Sequence, residues 1–123
     1  MARRRYRYAP IRHVWRGLER NIGVVVHDPE SGFFRIVVMA HGDLLRRLRD
    51  VSPEDVVRVE AAIVRWNAIG REAAERPALL ESLGSEEGTL RVGAVHEGTA
   101  TDLNWAVFRH FSDFAHPEIA DIG

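Results

Sequence analysis

The chain has 123 residues, 46% hydrophobic and 28% charged, with a formal net charge of −1, a composition that fits one globular domain able to bury its own core. It has no cysteine, which excludes disulfides, thiolate nucleophiles and cysteine-bound zinc. The basic start is not followed by an apolar signal core, and no apolar run approaches transmembrane length, so the expectation is a soluble, cytoplasmic protein, and its compactness suggests a prokaryotic one.

Residues 4–9, Arg4-Arg5-Tyr6-Arg7-Tyr8-Ala9, alternate long polar and aromatic side chains, the period of a half-exposed strand. Pro10 predicts that this strand ends there or lies at a sheet edge. Residues 12–19 read as a turn. The β-branched run at residues 22–26 follows as a short buried strand. Asp28-Pro29-Glu30-Ser31-Gly32 has proline and glycine where a tight turn wants them, and residues 33–38 are the return strand. Residues 21–39 therefore predict a hairpin.

Leu44, Leu45 and Leu48 suit a short amphipathic helix over residues 43–49. Ser52-Pro53-Glu54-Asp55 is a helix start, with Ser as N-cap, Pro in the first turn and acids behind it. The helix it opens places Val56, Val59, Ile63 and Trp66 on one face and runs to about residue 76. A short helix over residues 77–83, a polar turn at 85–88 and a strand over 89–95 come next. Residues 97–100 read as a loop. Thr101 is the predicted cap of a last helix over residues 102–114, with Leu103, Val107, His110 or Phe111, and Phe114 as its stripe. Residues 116–123 show no periodicity and read as an irregular tail. The order predicts a single α+β domain, residues 1–123, with a mainly antiparallel sheet of about four strands packed on three or four helices.

Charge is distributed unevenly. Seven of the 17 basic residues, all arginines, fall within residues 1–20 against the single acid Glu19, so the other 17 acids outnumber ten arginines in the rest. Such an end can meet an acidic partner, a nucleic acid or the acidic remainder of its own fold. The six histidines, at 13, 27, 41, 96, 110 and 116, show no ligand spacing. The serines sit mostly in cap or turn contexts, and no phosphate-cradling glycine loop precedes a helix. No metal or cofactor is expected, and no motif supplies a catalytic mechanism.

The candidate site is the stretch from Arg16 to Val26. Arg12, Arg16, Glu19, Arg20 and Asn21 bring guanidinium forks, a carboxylate and an amide to the mouth of a buried strand. Gly17 and Gly23 mark positions where the backbone takes positive φ or another group comes close. Three functions are in play. The first is a non-enzymatic accessory protein docking a protein partner, with self-association as a further expectation; Trp66 and Trp105, on the apolar helix stripes, read as core by default and otherwise as interface markers. The second is single-stranded nucleic-acid binding by Arg5, Tyr6, Arg7, Tyr8 and Trp15, phosphate-binding cations interleaved with stacking rings. The third is a phosphodiester hydrolase at the Arg16–Asn21 turn, with His13, Glu19 or Asp28 as acid and base.

Tyr6, Tyr8, Arg16-Gly17 and Asn21-Ile22-Gly23-Val24 stand in an order that resembles the bacterial family catalogued as domain of unknown function 3037, mainly over residues 6–39. Members carry Glu directly after the first Gly, whereas this chain has Leu18 there and the acid one place later, as Glu19. Adjacent strand positions face opposite sides, so the role of that carboxylate does not transfer automatically. The resemblance implies a small accessory protein that partners kinase-like proteins related to the HipA toxins. It implies no activity or substrate.

Overall fold

One long strand carries the sheet. The computed structural model describes residues 2–83 and 88–122, with side chains as far as Ala115. The elements are β1 (Arg4–Trp15), β2 (Leu18–Asp28), β3 (Phe33–Val38), α1 (His41–Arg47), α2 (Pro53–Glu72), α3 (Leu79–Ser82), β4 (Leu90–Val92), β5 (His96–Ala100) and α4 (Leu103–Ile122). The fold is α+β, an antiparallel sheet in the order β3-β2-β1-β4 with β5 also paired to β1.

β1 does not stop at Pro10, and the reason lies in its outer edge. β5 pairs with residues 4–8 of β1 and β4 with residues 11–13, which leaves Pro10 in the gap between them. The missing N–H faces that gap, while the Pro10 carbonyl accepts a 2.8 Å bond from the Gly93 amide. The predicted turn over residues 12–19 shrinks to Arg16 and Gly17. Both have positive φ, 50° and 81°, and Trp15 pairs directly with Leu18, which is the primed two-residue hairpin whose twist matches that of the strands it joins.

β2 explains why residues 22–26 read as unbroken apolar sequence: both faces of the sheet are covered. Ile22 and Val25, with Ile11, Phe34 and Ile36, pack against Val56, Val59, Ile63 and Trp66 of α2. Val24 and Val26, with Tyr6, pack against Leu103, Ala106 and Val107 of α4. Each large apolar side chain buried in this way contributes roughly 1.5–3 kcal/mol.

Several expectations are corrected. Residues 97–100 are strand β5, not a loop. Gly98 sits opposite Tyr6, whose ring lies 2.6 Å from where a Cβ would be, so the glycine makes room for an aromatic instead of making a turn. The predicted strand over 89–95 contracts to Leu90–Val92. Asp102, not Thr101, caps α4: its Oδ1 accepts from the Asn104 amide at 3.0 Å and the Trp105 amide at 3.3 Å. The backbone of α4 continues to Ile122, through the region expected to be irregular, because a helix without an apolar stripe gives no periodic signal. α2 begins as predicted, with the Ser52 hydroxyl accepting from the Asp55 amide, and ends at Glu72. The predicted polar turn lies outside the described residues except for Gly88.

Ile11 faces Gly23 and Arg12 faces Asn21, so Ile22 is an extra residue, a β-bulge in β2. At Gly23 a Cβ would stand 2.3 Å from the Val37 carbonyl oxygen and 2.7 Å from Val38 Cγ1. Backbone cannot yield as a side-chain tip can, so Gly23→Ala should cost about 1–3 kcal/mol. Urea unfolding is the measurement, and a midpoint equal to that of the parent would show that β3 moves aside freely.

Candidate functional site

Beyond Gly23, β2 has no β3 partner, since the β2–β3 ladder covers residues 23–28 only. α1 and the far part of α4 close the gap, and a polar seam holds them. Asn21 Nδ2 donates to the Phe114 carbonyl at 3.0 Å, Arg20 Nη1 to the Arg47 carbonyl at 3.0 Å, and the buried Arg47 donates through Nη2 to the Ala115 carbonyl at 3.0 Å. Pro117 has no N–H and removes one internal bond from this part of α4. Two of the seam's donors meet carbonyls just before it.

The sequence-predicted site residues therefore divide. Arg12 donates from Nε to Asn21 Oδ1 at 3.1 Å. Arg20 also forms an ion pair with Asp50, Nη2 to Oδ2 at 2.8 Å, and its guanidinium holds the Asp50 carboxyl down at about 2. Arg12, Arg20 and Asn21 thus tie the hairpin to its own fold. Arg16 and Glu19 stay exposed, with the Arg16 guanidinium 5.4 Å from the Trp15 ring centroid.

The aromatic strand is also engaged internally. Tyr6 is buried, and its hydroxyl lies 2.7 Å from His110 Nε2. Burial raises the Tyr6 phenol and lowers the His110 imidazole, so both partners are held toward their neutral forms. Tyr8 stacks on that ring at 3.7 Å, with 11° between the planes. Arg7 donates to the Pro77 carbonyl at 2.6 Å and pairs with Glu81. Arg5 alone of these four is exposed. His13, Glu19 and Asp28 do not converge. Asp28, at the far end of β2, accepts from the Glu30 amide and the Ser31 hydroxyl of the tight turn, while His13 pairs with Arg20 near the opposite end. No group of three or more acidic or histidine side chains is placed to hold a metal among the described residues.

Trp105, expected in the core by default, lies on the surface instead, and a cavity escaped the sequence altogether. On the outer face of α4, Trp105 is 56% exposed and Phe108 54%. Arg109 lies over the Trp105 ring at 5.3 Å and Arg35 over Phe108 at 5.2 Å. An open groove of about 510 Å³ beside Trp105 is lined also by Arg3 and Arg109. The signal was present: both aromatics fall off the apolar stripe of α4. On the opposite face of the sheet, a cavity of about 480 Å³ lies behind the hairpin, between β1 and α2. His13 and Trp15 line it, and His13 Nδ1 and Trp15 Nε1 are buried without a partner. Leaving such an atom unpaired costs about 1–3 kcal/mol.

The geometry defines a three-layer α+β domain with an arginine-flanked aromatic face and a lined cavity. No protein-family model matches the chain, and no curated protein or solved structure gives a significant match.

Two predictions test this picture. Asn21→Ala leaves the Phe114 carbonyl and the Arg12 Nε without their partner and should lower stability by about 1–2 kcal/mol. A urea midpoint unchanged from the parent would mean that water replaces the amide at no cost. The second concerns pH. Burial is the largest cause holding the imidazoles of His13, His27 and His110 below their ordinary 6.5. As pH falls through 6.5, the unfolded chain takes up protons that these rings refuse, so stability declines from there downward, by at most about 1.4 kcal/mol per pH unit for each ring. Asp50, held down at about 2 from 3.8, adds a further loss only as pH falls below the ordinary carboxyl value. Urea midpoints across this range should be flat above neutrality and drop below it. A flat profile through the histidine window would contradict the burial of these rings.

Proposed function

We propose that this chain is a non-enzymatic binding module that docks a protein partner through the outer face of α4. The carrying observation is the exposure of Trp105 and Phe108, each under an arginine guanidinium and beside the groove that Arg3 and Arg109 line. Tryptophan and arginine dominate interface hot spots because they combine large apolar area with directional polar contact. Arg3 and Arg109 against the one carboxylate of Asp102 leave the groove positive on balance, so the partner offers an apolar anchor with an acidic side chain next to it. A kinase-like partner of the HipA type rests on the resemblance of residues 6–39 alone, and membership of that family is part of this proposal. Burial of Tyr6 and the stacking of the half-buried Tyr8 on His110 disfavour base stacking on β1, and the separation of His13 from Asp28 disfavours a hydrolase at the hairpin. Self-association has a separate candidate face on α2. Val57, Ala61, Val64 and Ala68 are exposed there at alternating steps of four and three, the spacing of a helix-pairing seam.

The test isolates the tagged protein from its native host beside a Trp105→Ser, Phe108→Ser double variant, with light scattering of both. The expected result is a stoichiometric protein partner that the variant loses while its thermal midpoint holds, since both side chains are more than half exposed. Equal recovery by parent and variant would remove α4 as the docking face. A parent that runs as a monomer would remove the α2 seam.

A further inference from the structure

The cavity behind the hairpin lies on the other face of the sheet from Trp105 and Phe108, and the docking reading makes no use of it. Its volume, about 480 Å³, is within the range of small-molecule sites. Val51, Val59, Ala62 and Leu90 give it apolar walls, all of them buried residues. Of the three buried side-chain nitrogens without a partner among the described residues, two belong to residues lining this one space, His13 Nδ1 and Trp15 Nε1. His13 is only 1% exposed, so bulk solvent does not satisfy its ring from outside.

The placement of both rings follows from the sequence. They are two apart on β1, so they share a face, with Cα atoms about 7 Å apart. That face is the one under α2, which turns Asp55, Arg58, Val59, Ala62 and Arg65 to the same space at helical spacing. The charges there are already engaged. Asp55 bonds Arg58 at 2.8 Å and accepts from the Ser52 hydroxyl at 3.0 Å, and Arg65 has an interaction of its own. A charged ligand would have to compete with these contacts for its counter-ion while giving up its hydration.

The two nitrogens then decide the chemistry. An indole N–H only donates, so the ligand presents an acceptor to Trp15. Burial is the largest cause holding the His13 imidazole below its ordinary pKa, and a neutral ring nitrogen donates in one tautomer and accepts in the other. A hydroxyl meets both demands, since it accepts and donates at once. An ether or ketone oxygen serves only one tautomer. A primary amide brings more polar atoms than two nitrogens satisfy, and the remainder would face apolar walls.

We propose that this cavity binds a small neutral alcohol or phenol, its hydroxyl against Trp15 Nε1 and His13 Nδ1 and its apolar body between Val59, Ala62 and Leu90.

The experiment titrates the full chain with benzyl alcohol, phenethyl alcohol, para-cresol and hexanol, following the Trp15 indole N–H in nitrogen-15 correlation spectra. Each is run beside its methyl ether and beside the matching carboxylate, benzoate, phenylacetate, para-toluate or hexanoate. Trp15→Phe identifies the signal among the three tryptophans. At least one alcohol should shift it in a saturable way, with half-saturation below about 1 mM. The matching carboxylate should bind about tenfold more weakly, because its charge is buried without a counter-ion. His13→Phe keeps the Trp15 signal and removes the second nitrogen, so it should weaken the same alcohol several-fold. No saturable shift from any alcohol up to about 10 mM would overturn the proposal and leave a water-filled cavity only. A carboxylate that binds as tightly as its alcohol would overturn the neutral assignment, and an equally tight ether would overturn the role of the hydroxyl proton.

Discussion

Between Gly23 and Asn21 the ladder with β1 skips Ile22, and with that skip the alternation of side chains along β2 reverses. Without the extra residue, Asn21 would point toward α2 and Arg20 toward α4. With it, Asn21 reaches the Phe114 carbonyl on α4, and Arg20 reaches Asp50 and the end of α1. Ile22 meanwhile joins the core under α2. Both helical layers are therefore attached to the hairpin by polar contacts whose direction a single inserted residue determines. Gly23 makes the arrangement possible, because the Val37 carbonyl occupies the space that a side chain would need.

The unbroken alternation of β1 separates two chemistries. Its odd positions, Ala9 and Ile11 and then His13 and Trp15, face α2, while the even positions Tyr6 and Tyr8 lie under α4 against His110. One face is thus filled by a satisfied aromatic stack, and its outer helix has aromatic area left over. The other face holds a space with polar atoms still unpaired. A fully satisfied buried network rigidifies its surroundings, which suits a helix that presents Trp105 and Phe108 in fixed positions.

Much of the fold was legible because its signals are local. The β-branched run at 22–26, the Pro-Gly turn at 29–32 and the Ser52-Pro53 helix start each state their structure within a few residues. The misses share a cause in tertiary context. Pro10 looked like a terminator because a sequence does not show that two short strands divide the outer edge of β1 around it. Gly98 looked like a turn because the ring it accommodates is 92 residues away in Tyr6. The charged residues of the hairpin looked available because their partners, Asp50, Phe114 and Arg47, lie on elements whose packing no spacing reveals. Trp105 was visible as an interface candidate, but its arginine neighbours needed the fold to bring Arg3 and Arg109 to one groove.

The division of the β1 edge has a consequence for synthesis. β1, β2 and β3 are consecutive and can pair as soon as residue 38 emerges, whereas the outer edge of β1 waits for residues 90–100. Throughout that interval the nascent chain displays an unpaired strand edge, the structure most prone to join another chain. Arg3, Arg4, Arg5 and Arg7 stand along it. Four like charges on a waiting edge repel a second copy of the same edge, which gives the arginine-rich start of this chain a role as a gatekeeper before the fold is complete.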